Sequence, residues 1–108
     1  MLNNDSEEFP HLRNLRDIAN RDLNFADRCD IIQCQSQEAH RNSVEGKILT
    51  NQQRMSGALA RQANGFVLSA QAAMYLAVKG EMEKADQQAE QALTFTEAYE
   101  AFFRNWSK

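Results

Sequence analysis

Two stretches decide the fold: Gln35–Gln62, QSQEAHRNSVEGKILTNQQRMSGALARQ, and Ser69–Thr96, SAQAAMYLAVKGEMEKADQQAEQALTFT. Laid over one another at an offset of 34, they share Gln37/Gln71, Ala39/Ala73, Val44/Val78, Gly46/Gly80, Gln53/Gln87, Ala58/Ala92 and Leu59/Leu93. Ile48/Met82 and Met55/Ala89 keep apolar character. A small residue seven before a turn glycine lets two helices approach, and the glycine reverses the chain. A small residue and a leucine beyond it then pack the second helix back on the first. A repeat at such a period implies stacked supersecondary units.

Outward from these stretches the periodicity stays helical. Leu12, Leu15, Ile18, Ala19, Leu23, Ala26 and Cys29 recur at steps of three and four, as do Met82, Ala85, Ala89, Ala92, Tyr99, Phe103 and Trp106. No alternation long enough for a strand interrupts them. Residues 1–9 predict a disordered tail, and Pro10 in a first turn opens a single all-helical domain over 10–108. Gly46, Asn64-Gly65 and Gly80 are the expected interruptions, and Gly57 a tolerated glycine at a close approach. Thr94-Phe95-Thr96-Glu97 reads as a capping box for a last helix or as the interior of one helix from Met82 to Trp106.

The pattern resembles the tetratricopeptide repeat, a 34-residue helix–turn–helix unit, with Ala73, Tyr75, Gly80, Ala85, Ala92 and Leu93 in the better copy and Ala39, Gly46, Ala58 and Leu59 in the poorer. It departs from that family where Tyr75 is displaced by one residue and the terminal proline is missing. The fold class is therefore all-α: antiparallel helical hairpins, tetratricopeptide-like, of about two and a half units, or a bundle of three to four helices. The bundle alternative has long helices near 10–35, 40–78 and 81–106.

Composition narrows function by exclusion. The chain has 108 residues, 12 Lys+Arg against 15 Asp+Glu, one proline and two cysteines. No run approaches the length of a membrane span, and the acidic start is unlike a signal peptide. Cysteines without a disulfide framework fit a reducing cytoplasm. Segment 36–65 is the basic part, with Arg41, Lys47, Arg54 and Arg61 against Glu38 and Glu45. Lys47, Arg54 and Arg61, seven apart, form a basic stripe that meets an acidic partner or simply faces solvent. Without interleaved aromatics it is a weak nucleic-acid binder.

No catalytic constellation emerges, so the chain reads as a non-enzyme without cofactor. His40 lacks the basic residue and glycine of a phosphotransfer histidine. Glu8-Phe9-Pro10-His11 has a metal-ligand spacing once, across a helix start, and Cys29 and Cys34 lie about 140° apart on a helix, so no metal is expected. What remains is partner binding. The repeat resemblance implies a groove lined by Val67, Ala70, Met74, Ala77 and Val78, with Gln33, Ser36, His40, Ser43 and Val44 from the poorer copy. Such a groove receives an amphipathic helix of another protein, as in the small chaperones of bacterial type III secretion needle subunits. Phe102, Phe103 and Trp106 are a candidate docking patch. The alternative is a homodimeric regulatory or phage-type bundle that associates through the aromatic C-terminal helix.

Overall fold

A computed structural model describes residues 8–22 and 24–106, and these contain five α-helices and no strand. They are α1 (Pro10–Arg21), α2 (Phe25–Val44), α3 (Asn51–Val78), α4 (Met82–Leu93) and α5 (Thr96–Trp106). The long α3 is the spine. Helix α2 packs along its first part, α4 along its second and α5 against its middle, while α1 lies on α4. The principal extents are 55 × 27 × 19 Å, and the radius of gyration is 15.5 Å. A compact chain of this length has a radius of about 13 Å, so the molecule is elongated.

Two turns have the same construction 34 residues apart. Gly46 (φ 66°) and Gly80 (φ 84°) take the left-handed conformation that side chains resist. At the first, Lys47 N–H reaches Asn42 C=O and Gly46 N–H reaches Ser43 C=O; at the second, Glu81 N–H reaches Leu76 C=O and Gly80 N–H reaches Ala77 C=O. Both are Schellman terminators. Val44 and Val78 each end the helix before the turn.

The chain then departs from the even repeat. Helix α4 begins at Met82, directly after its turn, whereas Ile48, Leu49 and Thr50 are non-helical and α3 begins only at Asn51. Thr50 accepts from Gln53 N–H at 3.1 Å, and Gln53 Oε1 accepts from Thr50 N–H at 2.9 Å, a complete capping box. The second helices thus start 31 residues apart rather than 34. Gln53/Gln87, Ala58/Ala92 and Leu59/Leu93 align in sequence without holding the same place in their helices.

Asn64-Gly65 does not interrupt the chain. Helix α3 runs through it, so one helix ends the first hairpin and begins the second. Gly65 instead makes a notch for Phe95: a Cβ there would lie 2.9–3.0 Å from three carbons of that ring. The unbroken first helix expected near 10–35 is in fact divided, with α1 ending at Arg21 and α2 starting at Phe25. Thr94 is no N-cap; its hydroxyl donates back to Gln91 C=O at 2.6 Å. Phe9, assigned to the tail, packs half-buried against the core. Residues 1–7, the rest of that tail, and Leu23 lie outside the described residues.

The core is aliphatic under α1 and aromatic under α5. Leu12, Leu15, Ile32, Phe66 and Val67 are its largest fully buried side chains. Each such side chain gains about 1.5–3 kcal/mol by leaving water. Ala85, Ala89 and Ala92 are also fully buried, and their small size lets α4 sit close to its neighbours. Phe66 stacks on Tyr99 at 4.5 Å between ring centroids, and Phe25 contacts both rings.

Candidate protein-binding surface

Burial stops partway along the first hairpin. Toward the turn, Ser36 on α2 and Ala60 on α3 are the last buried residues. Beyond them the two helices touch each other, and among the described residues no other helix packs on them. Contact there is made by small groups: a Cβ on Gly57 would lie 3.1 Å from the Ala39 Cβ. Short helices in water depend on tertiary packing of an apolar face, yet this arm leaves its apolar side chains open. Ile48 is 97% exposed, Met55 74% and Val44 72%, and Leu59 is half-buried.

An open depression of about 990 Å³ surrounds this part of the hairpin. Its walls include Glu38, Asn42, Lys47, Arg54, Gly57 and Arg61. Lys47 is in the loop before α3, not on that helix, and pairs with Glu45 at 3.0 Å. The stripe is therefore two residues on α3, Arg54 and Arg61, with Lys47 brought to the same depression from the loop. Among the described residues, neither arginine forms an ion pair.

The expected groove on the second part of α3 is not there. Val67 and Ala70 are fully buried, because α3 is flanked along this length by α4 and α5. Met74 and Ala77 are half-buried against the same core. Val78 is exposed, at the last residue of α3, and is not continuous with them. In the poorer copy Ser36 is buried and Gln33 half-buried, while His40, Ser43 and Val44 are exposed.

Phe102 and Phe103 of the C-terminal helix also turn inward. Phe102 is 5% exposed, and Phe103 packs edge-on against Tyr99 and Phe102 under the Arg28 guanidinium, 4.6 Å from the ring centre. Trp106 is the last residue of α5, and its side chain lies outside the described part of the structure. Phe102 and Phe103 close the core end of the domain instead of forming a patch.

A polar cluster pins that end. Asp22, between α1 and α2, accepts from the Tyr99 hydroxyl at 3.1 Å and pairs with Arg28 at 3.3 Å. Burial, with Asp22 beside it, raises the Tyr99 pKa well above the ordinary phenol value. Burial, aided by Asp30 and Asp22, pushes the Cys29 thiol up to about 11. A thiol held neutral in this way is a packing group and not a nucleophile. Cys34 is exposed, and both cysteines are free. Among the described residues no three His, Cys, Asp or Glu side chains stand together as a metal site, and no helix is long and apolar enough to cross a membrane.

Met55 and Ile48 stand in the sequence as apolar positions of the repeat with no binding role assigned. The signal that marks them is position within the helix. Met55 and Leu59 are the fifth and ninth residues of α3; the fifth and ninth of α4 are Asp86 and Glu90. Those two hold α1: Asp86 accepts from Leu12 N–H at 3.0 Å, and Glu90 pairs with His11 at 3.6 Å. At the corresponding place on the first hairpin Met55 is exposed and Leu59 is half-buried against the core, and among the described residues no helix takes the position of α1. Comparison of the chain with protein families, with curated proteins and with solved structures finds no match.

Proposed function

We propose that this chain is a non-enzymatic adaptor that holds an amphipathic helix of a partner protein against the outer half of the α2–α3 hairpin. One observation carries the reading: the chain builds two helical hairpins with the same turn, covers the second with α1, and leaves the equivalent face of the first open. An amphipathic helix laid there would bury Met55 and finish the burial of Leu59, inserting its own anchors as α1 inserts Leu12 and Leu15 on the second hairpin. Desolvated apolar anchors of this kind supply most of the affinity in helix-in-groove recognition. The tetratricopeptide resemblance belongs to the same proposal. The paired glycine turns support it, and the shared, unbroken α3 is its main departure. Free cysteines suit an adaptor working in the reducing cytoplasm.

The test is amide hydrogen exchange on the whole chain with a designed amphipathic helical peptide carrying Leu-x-x-Leu repeats and glutamine on its polar face. Added peptide should slow exchange in residues 36–61 and leave α4 and α5 unchanged. Slowing confined to α1, α4 or α5, or no change at saturating peptide, would remove the proposal.

A further inference from the structure

We infer that the helix taken up by the first hairpin is an acidic one, a conclusion that rests on the helix-holding reading above. The two faces differ in charge, compared position by position from the first residue of each second helix. On α4 the fourth, fifth, eighth, ninth and eleventh residues are Ala85, Asp86, Ala89, Glu90 and Ala92. This face carries two negative charges. Its occupant, α1, has Arg13, Arg16 and Arg21 against Asp17, a surplus of two positive charges. Both acids of this face meet α1, Asp86 through the Leu12 N–H and Glu90 through His11, while the three arginines of α1 point to solvent.

On α3 the same five positions are Arg54, Met55, Ala58, Leu59 and Arg61. The sign is reversed: two positive charges and no negative one. Each set holds three apolar residues, but Met55 and Leu59 are larger than the alanines of α4 and stand where it has its two acids. Both arginines are exposed and without a carboxylate partner among the described residues. They lie seven residues apart on one face, about 10 Å along the axis. Ala58 between them lets a helix approach.

Complementarity therefore selects an amphipathic helix with leucine anchors and Asp or Glu two turns apart on the flank. It disfavours the α1 of a second copy, whose surplus has the same sign as the face. It also disfavours nucleic acid as the main ligand. Two arginines without a stacking aromatic give little affinity at physiological salt, whereas Met55 and Leu59 need an apolar counterpart. Charge pairs at a rim set partner choice more than raw affinity, so the face discriminates among helices by sign.

The test uses the whole chain and three designed helical peptides that share a Leu-x-x-Leu face and differ only in carrying Glu, Gln or Lys at the flanking positions. Two exposed ion pairs predict that the Glu peptide binds about fivefold tighter than the Gln peptide at low salt. That advantage should shrink in high salt. The double reversal Arg54→Glu with Arg61→Glu leaves helicity unchanged, because both side chains are in solvent, and should transfer the preference to the Lys peptide. Equal binding of the Glu and Gln peptides would overturn the acidic assignment and leave the holding function standing. Binding of none would remove both. Tighter binding of a short DNA duplex than of the Glu peptide, or self-association of the chain abolished by the double reversal, would also overturn it.

Discussion

The Tyr99 hydroxyl donates to the Asp22 carboxylate at 3.1 Å, joining residues 77 apart in sequence. Through this contact the α1–α2 junction is tied to α5, and Arg28 on the same carboxylate adds α2 to the tie. The stacked Phe66 ring beneath Tyr99 extends it to α3.

Tyr99→Phe should therefore destabilise the domain although it changes no apolar contact. Asp22 loses one donor and keeps Arg28, so the cost is about 1 kcal/mol. A domain of this size would show it as a melting temperature lower by about 4–8 °C. Urea unfolding and thermal melts followed by circular dichroism measure the two, and unchanged midpoints would show that the bond contributes nothing.

Alkaline pH should weaken the fold through Cys29 and Tyr99. Both have raised values in the folded chain, so the fold keeps their protonated forms. Stability is then whole below the unfolded thiol value, near 9, and is lost as pH climbs through about 11. Unfolding midpoints measured across this range should fall, and Cys29→Ala should flatten the first part of the fall. A profile that the substitution leaves unaltered would refute the role of Cys29.

Gly65→Ala and Gly57→Ala should differ in cost, though both sit inside α3. A methyl at 65 meets the packed Phe95 ring at 2.9–3.0 Å, and the ring is held between α3 and the start of α5. Overpacking of about 1–3 kcal/mol outweighs the gain of about 1 kcal/mol in helix propensity. A methyl at 57 meets only the Ala39 methyl at 3.1 Å, in an arm with nothing behind it to resist a small shift. Its expected effect is near zero. Thermal melts of the two variants decide the matter, and equal losses would contradict the contrast.

The helical class and both glycine turns were legible in the sequence, because a Schellman terminator needs a residue free to take positive φ and Gly46 and Gly80 sit at the ends of apolar stripes. Asn64-Gly65 carries the same local signal and misleads. What keeps α3 intact there is Phe95, thirty residues later, filling the space a side chain would occupy. The delay of α3 to Asn51 was also present locally, in Thr50-Asn51-Gln52-Gln53, but a fixed offset of 34 hid it.

The site was less legible for a similar reason. Val67, Ala70 and Phe102 have the composition of a binding face and of a core alike, and only the placement of α5 against α3 assigns them to the core. Arg54 and Arg61 were visible as a pair on one face. Their meaning depends on Ala85 and Ala92 holding the same places in α4, a comparison available once the helix starts are known.

Sharing α3 between two hairpins leaves this protein without a seam. A tandem array grows or shrinks by whole modules, because a cut between neighbours spares each one. Here any cut through α3 would sever both hairpins at once. Excision of one hairpin by such a cut is closed to this chain, because α3 belongs to both.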